Sequence, residues 1–158
     1  METTTEITVK NRPFPRDCYR CGKREVYRDV IPYALQVKYE GILHSLEVPR
    51  LETPRCRACG EIVFVAHVDA QINADERTLL RLLQPTEIQN GLERLGLTQR
   101  ELANRLGVAD TALADWEDDI SIQSRTADNL LRVYFAFPEV RAVLDNEERD
   151  VSLGVLVG

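Results

Sequence analysis

The stretch Thr98 to Trp116, TQRELANRLGVADTALADW, admits few folds. Thr98 can cap a helix through its hydroxyl, and Glu101 stands three residues on, the spacing of a capping box. Leu102, Ala103 and Leu106 then share one face at helical spacing. Ala103 is small where a second helix has to come close. Gly107 follows at once, where a sharp turn demands a left-handed backbone that glycine adopts without steric cost. Val108 plugs the turn. Leu113 and Trp116, three apart, mark the inner face of the next helix.

Two helices meeting at a glycine occur in many all-α cores. The full series Gln99, Ala103, Gly107, Leu113 and Trp116 is narrower, and points to a helix-turn-helix of the Cro/repressor type. The second helix of such a motif enters the DNA major groove with its N-terminal residues at base edges. Here that helix runs from Asp110 to about Asp118. From Val108 to Asp119 the chain carries Asp110, Asp115, Glu117, Asp118 and Asp119, with no Lys or Arg. Phosphates repel carboxylates, and the Arg or Lys contact to guanine is missing. Shape and chemistry therefore pull in opposite directions.

A chain of 158 residues permits one full domain or two small ones. Its hydrophobic share of 44% and charged share of 29% fit a soluble globular protein. No apolar run is long enough to span a membrane, and METTTEITVK lacks the apolar core of a signal peptide, so a cytoplasmic location is expected. The net charge of −6 provides no overall basic footprint for nucleic acid, which leaves only a local patch.

All four cysteines fall in two CxxC pairs, Cys18-Cys21 and Cys56-Cys59. In a reducing compartment disulfides are not expected. Each pair is followed by glycine, as a tight knuckle needs, and two knuckles supply four thiolates, the set for one structural zinc. A redox CxxC would need a helix start in an α/β pattern, which surrounds neither pair. Four thiolates close the coordination sphere, so no zinc-bound water is expected. His44 and His67, the other possible ligands, read as a surface or strand histidine each.

Between the knuckles, Val26 to Ile31 reads as a strand stopped by Pro32. Tyr33, Leu35, Val37 and Tyr39 alternate, Glu40-Gly41 signals a turn, and Leu43, Leu46 and Val48 begin a return edge. About three antiparallel strands are expected, too few to be stable without metal. Ile7 to Val9 is a possible short strand. Residues 69–83 read as a helix; Gln84-Pro85-Thr86 marks a boundary, with Thr86 as the cap of a helix to Leu95 that Gly96 ends. After a loop at 118–123, a helix runs from Thr126 to Phe137. Tyr134, Phe135 and Phe137 serve either a packed core or a dimer contact. The tail VSLGVLVG has no assigned place. The fold class is thus α+β: a small antiparallel zinc-ribbon-like β domain at 1–66, a connecting helix at 67–84, an all-α helix-turn-helix domain at 85–146, and a C-terminal tail at 147–158.

In this order, CYRC at 18–21, IPY at 31–33, CRAC at 56–59, PTEI, LGLTQRELA, LLRV and FPEV resemble the MqsA/YgiT-type antitoxin family from about Cys18 to Leu144. The resemblance implies a dimeric transcriptional regulator whose zinc domain can neutralise a small toxin protein. The chain departs from the family on the reading helix: Asp115 stands where an Arg is usual before the aromatic-Glu pair, Thr111 takes another base-contacting position, and Asp119 replaces a glycine.

Two functions are compatible with these residues. In one, the chain binds a DNA operator through Thr111 and Asp115, the latter accepting from cytosine N4. Phosphates are then held by Gln99 and Arg100, with Arg94, Arg105 and Arg125 as further candidates. In the other, the chain is a protein-interaction module whose acidic helix-turn-helix has lost DNA affinity. An enzyme is not expected, since no serine-histidine-acid set, phosphate loop or open metal position is present.

Overall fold

Period-two apolar spacing builds one long hairpin. β1 (Val26–Tyr39) pairs antiparallel with β2 (Ile42–Cys56), Glu40 and Gly41 forming the turn. Among the described residues the sheet has two strands rather than three. Pro32 does not stop the first strand. It sits inside β1 where the register slips, Ile31 facing Leu51 and Tyr33 facing Val48. Both strands of a two-stranded ribbon are edges, so a proline that cannot donate to the ladder is accommodated at a bulge, and Pro49 and Pro54 are carried by β2 for the same reason.

A two-stranded ribbon is marginal alone. Ile31, Val37, Leu46, Val48 and Leu51 bury their side chains with Val68, and Ile72 packs alongside; the last two belong to α1 (Ala66–Leu80). The Gln71 amide accepts from the Glu52 N–H at 3.0 Å and donates to the Glu52 carbonyl at 2.8 Å, so one rung of the outer β2 edge is closed by a side chain. α1 stops short of the expected 84, because Arg81 turns to φ 56°.

The computed structural model describes residues 13–145, which divide at Leu79/Leu80 into two compact units. The possible strand at Ile7 to Val9 and the VSLGVLVG tail lie outside the described residues. The second unit contains α2 (Pro85–Leu95), α3 (Gln99–Leu106), α4 (Asp110–Glu117), α5 (Arg125–Ala136) and α6 (Pro138–Leu144). The fold class is α+β.

Thr86 is not the cap of α2. Gln84 is, with Pro85 in the first turn and the Glu87 carboxylate accepting from the Gln84 N–H at 2.8 Å. Proline suits the first helical position, where its missing N–H would have had no partner, and so moves the boundary two residues earlier. Ile88, Leu92, Leu102, Ala103, Leu113, Trp116, Leu131 and Tyr134 form the core. A buried polar knot ties the chain before α2 to α5. Asp128 accepts from the Leu83 N–H at 2.7 Å and from Gln123 Nε2 at 3.0 Å, and Gln123 donates to the Leu83 carbonyl at 2.8 Å. Of the three aromatics near the end of α5, Tyr134 is fully buried and Phe135 rests on Gly91, where any Cβ would meet its ring. Phe137 is 53% exposed.

Candidate metal centre and helix-turn-helix surface

The hairpin returns Cys56 to Val26, and so brings the second knuckle beside the first. The knuckles are built alike. The Gly22 N–H donates to the Cys18 carbonyl and the Gly60 N–H to the Cys56 carbonyl, both at 2.8 Å, while the Cys18 and Cys56 N–H groups donate to Lys23 and Glu61, also at 2.8 Å. Gly22 and Gly60 share a left-handed backbone, φ 72° and 78°, that closes each turn. All four Sγ atoms lie within 4.8 Å of one another. Cys18 Sγ stands 3.7 Å from Cys59 Sγ, and Cys21 Sγ 3.7 Å from Cys56 Sγ, each pair joining the two knuckles.

That spacing is far beyond the ~2.05 Å of a disulfide. It matches the edge of a tetrahedron about 3.8 Å long, which a metal ion with sulfur ligands at ~2.3 Å requires. The electrostatics agree. Burial opposes ionisation of Cys56, but the N–H groups of Cys59 and Ala58 donate to its sulfur and hold its thiol down at about 7. The N–H of Glu61 favours the Cys59 thiolate, yet desolvation and the sulfurs of Cys56, Cys18 and Cys21 push that thiol up to about 12. Four clustered sulfurs cannot all carry charge unaided, and a divalent cation at their centre removes the conflict. The four cysteines can therefore hold a metal ion. Neither His44 nor His67 belongs to the cluster.

Sequence reading missed Glu61. Its carboxylate accepts from the Tyr19 hydroxyl and, at 2.6 Å, from Arg20 Nη1, so the chain after the second knuckle is tied to the first. The Tyr19 and Arg20 donors hold the Glu61 carboxyl below the usual carboxylate range. The available signal was position: a carboxylate directly after CxxCG, paired with the Tyr-Arg between the first two cysteines.

The helical pair follows its local signals closely. The Glu101 N–H donates to Thr98 Oγ1 at 3.2 Å, and the Thr98 N–H donates to the Glu101 carboxylate at 2.8 Å. Gly107 takes φ 73°, and the Val108 N–H donates to the Ala103 carbonyl at 3.0 Å. Asp119, standing where glycine is usual, takes the left-handed φ of 57° itself; Asp tolerates this better than most side chains.

Residues 88–135 match the helix-turn-helix family model. No curated protein matches the chain. The chain therefore holds a Cro/C1-type helix-turn-helix domain and, in its other unit, a four-cysteine cluster.

On α4, Leu113, Trp116 and Glu117 face inward. Asp110, Thr111 and Asp118 are exposed and Asp115 half-buried. Two of the five acids counted on this stretch are already answered. Glu117 is 8% exposed and accepts from Gln99 Nε2, and burial raises its carboxyl pKa, with Asp118 adding to the effect. Asp110 pairs with Arg100 Nε at 3.2 Å. The candidate phosphate-binding residues are engaged within the unit. Arg94 donates to the Phe135 carbonyl at 2.8 Å, Arg105 to the Tyr134 hydroxyl and Asp145 at 3.2 Å each, and Arg125 to the Leu80 carbonyl. Of the named arginines, Arg94 and Arg100 are exposed, and Arg100, 81% exposed, sits on a surface pair that costs little to open. Among the described residues no helix is long and apolar enough to cross a membrane.

Proposed function

We propose that the chain is a DNA-binding transcriptional regulator of antitoxin type, with one structural zinc on Cys18, Cys21, Cys56 and Cys59. The observation that carries this reading is the α3–Gly107–α4 corner with an exposed Thr111 at the start of the second helix. Thr111 and Asp115 would meet base edges, Asp115 accepting from cytosine N4, while Arg100 and the Gln99 helix end take phosphates. Arg94, Arg105 and Arg125 each donate within the unit, and Arg94, which is exposed, keeps further N–H donors for a phosphate. Four thiolates leave no open metal position, so zinc holds the fold and no catalytic step is assigned. The reading includes a cytoplasmic homodimer, for which Phe137 and Val143 offer exposed apolar surface, and a small toxin protein as a further partner.

The test is a gel-shift series over rising salt with DNA from upstream of the chain's own gene. Salt-sensitive, sequence-selective binding is expected, and weak, sequence-blind binding would overturn the reading. A second reading, a protein-interaction module, is favoured by Asp115, Asp118 and Asp119 on α4 and the turn after it, a stretch without Lys or Arg. Co-purification of a stoichiometric protein partner, with no operator affinity, would establish it in place of the first.

A further inference from the structure

The zinc end of the hairpin holds a cationic surface of a different kind from anything in the helical unit. Segments 14–29 and 50–61 carry eight Lys and Arg against five Asp and Glu. Residues 80–145 carry seven against eleven. The two segments are distant in sequence, and the register gathers them: Val26 faces Cys56, Tyr27 faces Arg55 and Arg28 faces Pro54.

Arginine usage differs as well. In the helical unit, Arg94, Arg100, Arg105, Arg125, Arg132 and Arg141 all donate to carbonyls or carboxylates. At the zinc end, Lys23, Arg28 and Arg57 are exposed and make no side-chain hydrogen bond or ion pair with another described residue. Two of these are oriented by rings instead. The Arg57 guanidinium lies 3.8 Å from the Tyr27 centroid, and that of Arg28 lies 5.4 Å from the Phe14 centroid. Stacking orients the planar fork through its face and leaves the edge N–H donors for an incoming acceptor.

The structure assigns the zinc end, through Lys23, Arg28 and Arg57, a phosphate-backbone-binding role toward duplex DNA, separate from the reading helix. This rests on the DNA-binding reading above. It also supplies what that reading lacks, because α4 bears no cation and the arginines around it are bonded internally. Duplex DNA is favoured over an acidic protein because exposed, ring-oriented forks suit a regular line of phosphates, and base identity does not matter to them.

The experiment measures binding of the zinc-loaded full chain to a mixed-sequence duplex by fluorescence anisotropy across a salt series. Three proteins are compared: wild type, Lys23→Gln/Arg28→Gln/Arg57→Gln and the charge-keeping Arg28→Lys/Arg57→Lys. Each phosphate neutralised contributes roughly 0.9 to the slope of log affinity against log salt. The glutamine triple should flatten the slope by about 2 to 3, and the lysine variant should retain it. Zinc content and far-UV circular dichroism must match wild type. An unchanged slope in a folded glutamine triple overturns this assignment while leaving the operator reading intact. A wild-type slope that drops in the triple, without any operator preference, supports the assignment and removes the operator reading. Poly-glutamate displacing the duplex at equal charge concentration would identify the surface as an acidic-protein site and overturn the assignment, as would wild type with no duplex affinity.

Discussion

The two units of this chain are held together in different ways. The hairpin unit has a thin apolar layer between one ribbon face and one helix, and its knuckle end is closed by four sulfurs around a common centre. The helical unit has a continuous core of nine buried apolar residues and a closed polar knot at Asp128. Their charges divide in the same way. Six of the seven arginines at 80–145 donate to carbonyls and acids of the helical unit, Arg81 being the exception, while the knuckle end keeps several without such bonds. A small core gains from a metal ion, which the four cysteines can hold, and thiolates around such an ion tolerate cations nearby. A larger core needs neither, so its charged side chains serve as internal ties.

The widest test of this contrast is metal removal. A strong chelator, or Cys56→Ser, is expected to unfold the hairpin end while the helical unit stays folded. Metal binding of the structural kind contributes about 10–16 kcal/mol to such modules, far more than this ribbon's core can replace. Circular dichroism during chelation should show partial loss of signal with helical content kept. Complete cooperative collapse would mean that the units do not fold separately.

Leu113→Ala is the reverse experiment. Leu113 is fully buried between the helices of the corner. Its truncation should cost the helical unit about 2–5 kcal/mol, read by urea denaturation, and leave zinc content at wild-type level. A fall in bound zinc would break the comparison from the other side.

The smallest expected effect concerns pH. Burial, with Asp118 in support, raises the Glu117 carboxyl above its ordinary pKa. Between the unfolded and folded pKa values the folded state then binds more protons. Stability therefore falls as pH rises through that window, and the penalty is complete above the folded value. Glu117→Gln removes the titration while an amide oxygen still accepts from Gln99. The variant should lose less stability than wild type between mildly acidic and neutral pH. Parallel pH profiles for the two proteins would show that Glu117 ionises without cost.

Local features were legible in the sequence because their causes are local. The capping box at Thr98 and Glu101, the left-handed turn at Gly107 and the two CxxCG knuckles each depend on residues within a few positions of one another. The errors arose where one unit of structure overrode a local rule. Pro32 reads as a strand stop, yet a two-stranded ribbon has no inner strand for a proline to disrupt. Thr86 reads as a cap, yet Pro85 claims the first turn and moves the cap to Gln84. For Arg94, Arg105 and Arg125, candidate phosphate contacts, local spacing is silent on the carbonyls and side chains that packing brings to some of their donors. The five acids around α4 read as one repulsive surface, and folding turns Glu117 inward and sets Arg100 against Asp110.

The sequence by itself determined the two CxxC knuckles of the four-cysteine cluster, the α+β order and the helix-turn-helix corner, since spacing along the chain fixes which side chains share a turn or a helix face. The tertiary structure decided which charges remain available to a partner. That depends on acceptors tens of residues away, such as the Phe135 carbonyl for Arg94 and the Leu80 carbonyl for Arg125. No short-range pattern encodes those distances, because they come from helix packing and strand register.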